Sequence, residues 1–277
     1  MSKGYFKILR PGINSTFQDL GRFNLHHIGI PLSGVMDKRN YLIGNKLVEN
    51  SNNISAVEFA YQGPLLKLQS TNVTAAITGN VNFKILRANS NIENGQCYET
   101  FELNEGDQID IISTNKSVYG YFFIKGGFEI DSFWKSYSIN TKAKIGPNDG
   151  NKFNLNQKLF IKNKESKFQK KKIEHLNSKI EFIRVLKGTN FDYFSEEAIN
   201  NFFNKEFTVS KLTDRMGMRI EGPKIENIVE TNIRSEGLIK GVIQVPGDGN
   251  PIIMLSDYGT VGGYPKIAVV ISADHDR

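Results

Sequence analysis

The sequence contains one cysteine, Cys97, so no disulfide bond can form within the chain. It has no run of about 20 apolar residues, which excludes a helix that spans a membrane. Residues 1–10 scatter basic side chains among strand-forming ones and lack the continuous apolar stretch of a signal peptide. These absences predict a cytoplasmic protein with no membrane partner.

Motifs of several large enzyme classes are also missing. The sequence has no G-x-x-x-x-G-K-[ST] phosphate loop, no G-x-G-x-x-G, no G-x-S-x-G and no H-E-x-x-H. Adjacent His26 and His27 are predicted to point to opposite faces of a strand, so we expect no histidine-based metal site. Cys97 has no neighbour in sequence that would activate its thiol. Any catalysis therefore depends on carboxylates, Arg, Lys, hydroxyls, amides and backbone N–H groups.

Glycine and aromatic residues, by contrast, are abundant. The 277-residue chain is 39% hydrophobic and 23% charged, with 25 glycines and 19 phenylalanines. Short strand-forming runs bounded by Gly, Asn, Asp or Ser recur from Tyr5 to Ile271. Helices are predicted after Asp37 and after Ser195, since both side chains are good N-caps. Many strands with few helices argue against a βαβ succession and favour a mostly β fold, either a barrel or a sandwich.

A basic segment divides the chain. Much of the formal net charge of +6 lies in residues 162–172, KNKESKFQKKK. Only Phe168 interrupts the charge, so there is no array of aromatic side chains on which nucleic-acid bases could stack. We therefore predict no nucleic-acid partner, and interpret the chain as an N-terminal β-rich lobe (1–150), a solvated Lys/Asn-rich linker (151–178) and a C-terminal β-rich lobe (179–277).

Polar side chains cluster in the Gly- and Pro-containing residues 12–37. Long loops dense in mixed polar groups often carry function. Arg22 could bind an anion with its planar guanidinium, or pair with Asp19 at the surface. Asp19 could instead cap a turn. For Asp37 we favour a role as cap of the helix that follows.

Two further candidates lie in the second half of the chain. Arg215 precedes a strand with one apolar face and is a candidate anion ligand; the alternative is a surface salt bridge with Asp214 or Glu221. Gln244 lies between apolar neighbours on a strand that we expect to be buried. A buried amide needs a hydrogen-bond partner, so Gln244 either ties down a neighbouring loop, which we favour slightly, or faces a polar ligand.

The segment that follows the apolar strand 252–255 is rich in groups that can bind a ligand. Successive backbone N–H groups of Gly262 and Gly263 can form a nest for an anion, with Lys266 close by. A hairpin turn is the alternative interpretation. The candidate groups of this segment are Asp257, Thr260, Gly262, Gly263, Tyr264 and Lys266.

These segments, in this order, resemble the KipA-like family of biotin-dependent carboxyltransferase-domain proteins, which includes the C subunit of bacterial 5-oxoprolinases. The matching motifs are FQDLGR, GIPLSGVMD, AAITG, YGYFFIKGGF, TDRMGMRIEGP, GVIQVPGDGNPI and TVGGYPKIAVV, and they cover residues 3–274. In two places the sequence departs from the family pattern: Asn24 replaces a glycine, and Gly259 replaces a glutamine. The chain ends at Arg277, where family members continue for several strands, so we expect a truncated C-terminal lobe.

The resemblance implies a cyclophilin-like β-barrel fold and an ATP-hydrolysing amidohydrolase. Together with a KipI-like B subunit and a separate A subunit, family members use ATP to activate 5-oxoproline, a lactam, for ring opening to glutamate. ATP, with Mg²⁺, is therefore the expected cofactor. One alternative is a biotin-dependent carboxyltransferase that acts on urea or a related amide. Another is a non-enzymatic regulator that binds and counteracts a KipI-like protein.

Lactam activation would use cations and N–H donors to balance phosphoryl oxygens and developing negative charge. A carboxylate would hold the ring N–H or a Mg²⁺ ion. The predicted catalytic residues are Asp19, Arg22, Arg215 and Asp257. The predicted substrate-binding residues are Asp37, Gln244, Thr260, Gly262, Gly263, Tyr264 and Lys266.

Overall fold

The structure is a computed structural model that describes residues 3–162, 167–174 and 181–276. The chain divides into two compact units. The first comprises Met1–Gly21 and Asp37–Asn177, and the second comprises Arg22–Met36 and Ser178–Arg277. The predicted division assigned Arg22–Met36 to the N-terminal lobe, whereas here it belongs to the second unit.

The elements of each unit follow in chain order. The helices are α1 (Lys38–Leu47) and α2 (Glu196–Asn204). The strands of the first unit are β1 (Tyr5–Arg10), β2 (Thr16–Gln18), β3 (Ala56–Ala60), β4 (Leu65–Gln69), β5 (Val73–Thr78), β6 (Val81–Leu86), β7 (Ile92–Asn94), β8 (Thr100–Leu103), β9 (Gln108–Thr114), β10 (Tyr119–Ile124) and β11 (Lys158–Phe160). Those of the second unit are β12 (Val185–Lys187), β13 (Thr208–Val209), β14 (Gly217–Glu221), β15 (Glu236–Gly237), β16 (Val242–Gln244), β17 (Ile252–Met254), β18 (Val261–Gly262) and β19 (Lys266–Val270).

In the described part of the first unit, the strands form two antiparallel sheets with the orders β11-β1-β4-β9-β6-β7 and β2-β3-β10-β5-β8. Alternation sets which face of β6 is buried: Val81, Phe83 and Ile85 are buried, and Asn82 and Lys84 are exposed. Strand β3 is buried along its whole length. A strand buried without alternation in this way is covered on both faces.

Aromatic side chains from both sheets form the core of the first unit. Phe6 of β1 meets Phe122 of β10 edge to face, with 5.6 Å between ring centroids. Phe17 of β2 contacts Phe153 at 4.8 Å. Edge-to-face pairs of this kind add about 0.5–1.5 kcal/mol beyond the burial of their area.

Helix α1 packs against β10 and β5. It begins as predicted, because the Asp37 carboxylate accepts a hydrogen bond from the Asn40 N–H at 2.8 Å. Gly44 lets the helix approach the sheet closely, since a Cβ there would lie 2.0 Å from the Phe123 ring. The Tyr41 hydroxyl donates to the carbonyl of Ile54 at 2.8 Å and fixes the end of the following loop.

In the second unit, the described strands form an antiparallel sheet of order β12-β19-β16-β17-β14-β13 and a two-stranded ribbon, β15-β18. Helix α2 begins at the predicted cap, where the Ser195 hydroxyl accepts from the Ala198 N–H at 3.1 Å. Ala198 packs in one buried cluster with Ile243 of β16 and Ile267 of β19. The sheet and the helix therefore share the core of this unit.

The mostly β prediction with few helices is confirmed. The cyclophilin-like barrel is not confirmed, because each sheet of the described residues is open and has two edge strands. The strand predicted for His26 and His27 is wrong, since His26–Ile28 is a single 3₁₀ turn closed by Gly29 in the left-handed region. Asn24, where the family has a glycine, also has a positive φ of 63°, a conformation that asparagine tolerates better than most residues.

Part of the predicted linker belongs to the first unit. Strand β11 pairs with β1, and the Lys171 N–H donates to the Thr100 hydroxyl at 2.8 Å. Residues 163–166 and 175–178 of the predicted linker, and residues 179–180 just after its C-terminal boundary, lie outside the described residues. Within the described ranges, no helix has the length and apolar character needed to cross a membrane.

Candidate functional site

The predicted site residues fall on both units. Asp19 and Asp37 belong to the first unit. The second unit holds Arg22, Arg215, Gln244, Asp257, Thr260, Gly262, Gly263, Tyr264 and Lys266.

Asp19 follows β2 and is buried, with 5% of its surface exposed. Its Oδ1 accepts from the Ser136 hydroxyl at 2.6 Å, the Ser138 hydroxyl at 2.5 Å and the Gly21 N–H at 2.9 Å. Its Oδ2 accepts from the Tyr137 N–H at 2.7 Å. The interpretation that Asp19 caps a turn is confirmed by the Gly21 contact, and the carboxylate also anchors the loop around residues 136–138.

Asp37 is the N-cap of α1, and its own N–H donates to the Tyr121 hydroxyl oxygen at 2.8 Å. Tyr121 in turn donates to Oε2 of Glu58 at 2.7 Å. Burial, and next the charges of Glu58 and Asp37, raise the pKa of Tyr121 well above its usual value. Our sequence reasoning missed this buried network. The available signal was Glu58 itself, the one charged residue in the otherwise apolar strand AVEFA.

Arg22 opens the segment of the second unit that runs to Met36. It is 2% exposed, and its N–H donates to the Leu32 carbonyl at 2.7 Å. Because its side chain is buried, Arg22 is not the surface residue of the alternative interpretation. A buried guanidinium needs compensating acceptors or charge.

Thr260 makes a hydrogen bond through its backbone: its carbonyl accepts from the Leu238 N–H at 3.0 Å.

Arg215 and Asp257 form a buried ion pair. Nε of Arg215 donates to Oδ2 of Asp257 at 2.8 Å, and Nη2 donates to Oδ1 at 3.1 Å. Nη2 also donates to the Gly34 carbonyl at 2.5 Å. Each residue is 5% exposed, so the interpretation of Arg215 as a surface side chain is wrong. The bidentate geometry fixes the guanidinium plane.

Lys266 begins β19 and is 2% exposed. Its ammonium donates to Oε2 of Glu236 at 3.0 Å, to the Tyr264 carbonyl at 3.1 Å and, at 3.5 Å, to the Gly262 carbonyl. Because an ammonium has three donors, these contacts use its full capacity. The hydrogen bond from Lys266 is the main cause that lowers the pKa of Glu236 below its usual value, and Thr189 donates to the same oxygen at 3.2 Å.

Gln244 lies on β16 opposite Lys266 of β19 and Ile252 of β17. It is 8% exposed. The strand register therefore brings together Gln244 and Lys266, and the β15-β18 pairing brings Glu236 opposite Gly262. We call Glu236, Gln244, Gly262 and Lys266 the amide site. Sequence reasoning missed Glu236, an acidic residue that lies between Ser235 and Gly237.

The carboxylates of Asp19 and Asp257, two candidates for holding Mg²⁺, are engaged by protein donors. Both oxygens of Asp257 are bonded to Arg215, and both oxygens of Asp19 accept hydrogen bonds within the first unit. The positive charge of Arg215 beside Asp257 disfavours a second cation there. Across the ranges that the structure describes, no group of three or more His, Cys, Asp or Glu side chains is placed to hold a metal ion.

An apolar groove of about 380 Å³ lies elsewhere in the second unit, with Phe182 among its lining residues. Its polar rim is already bonded: Asp274 accepts from Arg184 at 2.7 Å, and a ring nitrogen of His275 is 3.1 Å from the Val270 carbonyl oxygen. The groove can hold apolar groups, whereas the amide site offers the polar chemistry that a small substrate needs.

Comparison with known proteins identifies the family to which the chain belongs. The chain belongs to the family described as carboxyltransferase domain, subdomain A and B, whose model matches residues 28–277. The C subunit of the Haemophilus influenzae 5-oxoprolinase is 30% identical to it over 260 residues, which are 94% of this chain and 82% of that protein. The resemblance inferred from the motifs is thereby confirmed.

Solved structures show the same fold. A crystal structure of TTHA0988 matches with a TM-score of 0.86 at 26% identity, over 99% of this chain. The Kluyveromyces lactis urea amidolyase matches with a TM-score of 0.87 at 26% identity, also over 99% of this chain. This chain spans only 53% of the TTHA0988 chain and 18% of the urea amidolyase. The activities of those larger proteins therefore come to this chain only as proposals.

Proposed function

We propose that the protein belongs to an ATP-dependent 5-oxoprolinase complex and activates the lactam of 5-oxoproline for ring opening to glutamate. The observation that carries the proposal is the likeness to the 5-oxoprolinase C subunit over 94% of this chain. Resonance makes a lactam a poor target for water. Transfer of a phosphoryl group from ATP to the lactam oxygen makes the ring carbon electrophilic, and ADP leaves; one water attacks that carbon and the C–N bond breaks to give an acyl phosphate, which a second water hydrolyses to glutamate and phosphate.

The geometry supports a different role for each of the predicted catalytic residues. Arg215, held rigidly by Asp257, supplies a fixed positive charge, as a phosphoryl-transfer site requires. Arg22 supplies a second guanidinium for the phosphoryl oxygens. Asp257 positions Arg215, and Asp19 holds the loop around residues 136–138.

Substrate recognition in the proposal centres on the amide site of the second unit. Gln244 supplies an amide there, and Lys266 fixes the Glu236 carboxylate. The other substrate-binding residues of the proposal are Asp37, Thr260, Gly263 and Tyr264. We also keep the cyclophilin-like barrel as a proposal for the fold, which an experimental structure of the assembled complex would test.

The proposed partners are the KipI-like B subunit and the A subunit of 5-oxoprolinase, in the cytoplasm. Because the sequence has no phosphate loop, we place ATP where this chain meets the KipI-like protein. Any Mg²⁺ would then arrive bound to the nucleotide phosphates, since Mg²⁺ is usually held by substrate phosphates with one or two carboxylates and those of Asp19 and Asp257 are engaged by protein donors.

The test is ATP hydrolysis by the full chain co-purified with a KipI-like protein, with and without 5-oxoproline. We expect ADP release that depends on the lactam and falls to background when either protein is omitted. Urea in place of 5-oxoproline is the matched control and should release no ADP. A stable complex that hydrolyses ATP at the same rate with and without lactam would contradict the proposal.

A second candidate function is carboxyl transfer from carboxybiotin to urea or a related amide. The TM-score of 0.87 against the Kluyveromyces lactis urea amidolyase favours it. Urea, like a lactam, has a carbonyl flanked by amide nitrogen. Carboxylation of urea that requires a biotin-bearing partner, in the absence of lactam-dependent ADP release, would decide for this function.

A further inference from the structure

The side-chain oxygen of Gln244 is a buried acceptor without a donor. Gln244 is 8% exposed, and its Oε1 has no hydrogen-bond partner among the described residues. A buried polar atom left in this state keeps the full cost of its desolvation. Native structures rarely keep such an atom unless it has a role. Gln244 therefore does not tie down a loop through Oε1, contrary to the interpretation that the sequence favoured.

Gly262 covers this oxygen. A Cβ added to Gly262 would lie 2.7 Å from Oε1 of Gln244 and 2.8 Å from the Leu238 side chain. Gly262 belongs to the β15-β18 ribbon, which has two residues in each strand. Such a short ribbon is held by few backbone bonds, so a small displacement of Gly262 needs little free energy.

Neither Lys266 nor Glu236 of the amide site offers a ligand a free hydrogen-bond donor. Lys266 already directs its donors to Glu236 and to two backbone carbonyls. The Glu236 side chain is 42% exposed and, with its lowered pKa, is ionised at neutral pH. An ionised carboxylate only accepts hydrogen bonds. The amide site therefore offers acceptors to a ligand, and its cation, Lys266, is engaged.

We propose that Oε1 of Gln244 accepts an N–H group of an amide or ureido ligand, and that Gly262 shifts to uncover Oε1 when the ligand binds. The inference rests on the proposed function and deepens it: the lactam N–H of 5-oxoproline is the group recognised here. Lys266 holds Glu236 in place and does not bind the ligand.

The first test compares 5-oxoproline with its lactone analogue, in which a ring oxygen replaces the N–H. The full chain with its KipI-like partner is titrated with each compound by calorimetry. A site built to bond an N–H rejects an analogue that lacks it, so we expect the lactam to bind at least about 10-fold more tightly. Gln244→Met removes the acceptor at similar volume and should bring the two affinities within about twofold of each other.

The second test uses the glycines of the ribbon. Gly262→Ala places a methyl group over Oε1 and should weaken lactam binding about 10-fold or more. Gly237→Ala, on the other strand of the ribbon, is the matched control, because nothing lies within 4 Å of a Cβ at Gly237. Equal lactam affinity for Gly262→Ala and Gly237→Ala would overturn the role of Gly262.

A stability measurement checks the premise without any ligand. Because Oε1 is unsatisfied, Gln244→Met should leave the Tm unchanged or raise it. A Tm lower by more than about 4 °C, a large shift for a chain of this size, would show that the amide is bonded in the free protein. That result would overturn the inference.

The outcomes separate this inference from the proposed function. Equal binding of lactam and lactone, with lactam-dependent ADP release, would overturn the inference and leave the 5-oxoprolinase proposal standing. If instead the protein binds urea but not the lactam, and Gln244→Met abolishes urea binding, the inference would be supported and the 5-oxoprolinase proposal overturned. Binding of neither 5-oxoproline nor urea would overturn the inference.

Discussion

Asp257→Ala is expected to lower the free energy of unfolding of the second unit by about 3–5 kcal/mol. The substitution leaves the guanidinium of Arg215 buried without the carboxylate that accepts two of its N–H groups. A buried charge that loses its partner keeps its desolvation penalty, which accounts for the size of the effect. Urea denaturation followed by circular dichroism measures the change.

Controls separate the ion pair from a general effect of substitution. Glu226 is an exposed acidic residue of the same unit, and Glu226→Ala should change the stability by less than about 0.5 kcal/mol. The double variant Arg215→Met with Asp257→Leu removes both charges, so it should be more stable than Asp257→Ala. If Asp257→Ala is as stable as Glu226→Ala, the pair does not hold this part of the unit together.

Local sequence signals predicted much of the fold. The N-caps Asp37 and Ser195 were recognised because a cap acts on a backbone N–H only a few residues away, as the Asn40 and Ala198 contacts show. Strands such as β6 were recognised from the side-chain types of neighbouring residues and from the turn residues that bound each run. These features require no knowledge of how distant segments pair.

The partners within the site depend on strand register, which the sequence does not display. Arg215 and Asp257 are 42 positions apart. They meet because Gly217 of β14 pairs with Met254 of β17, so the segment before β14 lies beside the segment after β17, where the Asp257 N–H donates to the Arg215 carbonyl at 2.8 Å. Sequence analysis therefore found both residues but assigned them separate roles: a cation that binds an anion, and a carboxylate that holds the ring N–H or a Mg²⁺ ion. The structure adds the pairing, in which Asp257 fixes the position of the Arg215 guanidinium.

Strand pairing also decides which group Lys266 contacts in the amide site. Its place after a Gly-Gly pair predicted a cation beside an anion nest. The β15-β18 pairing instead places Glu236 opposite Gly262, and Lys266 bonds to Glu236. A one-residue change of register would have reversed which side chains face each other, and no local pattern fixes that register.

Asp19→Ala is expected to lower the free energy of unfolding of the first unit by about 3–5 kcal/mol, since it leaves several hydroxyl and N–H donors without their acceptor. The loop that Asp19 holds also carries Trp134, the only tryptophan of the sequence. Trp134 is 47% exposed and contacts Phe133 with 4.6 Å between ring centroids. The fluorescence anisotropy of Trp134 in the folded variant should therefore fall as the loop loosens.

The matched control is Asp131→Ala, which removes an exposed carboxylate from the same loop and should change the stability by less than about 0.5 kcal/mol. The comparison also decides between two roles for Asp19. Loss of stability and anisotropy, with lactam-dependent ADP release per folded molecule unchanged, would make Asp19 an anchor of the loop. Unchanged stability and anisotropy with loss of turnover would make it a catalytic residue, because the lost bonds from Ser136, Tyr137 and Ser138 would then contribute little to holding the loop.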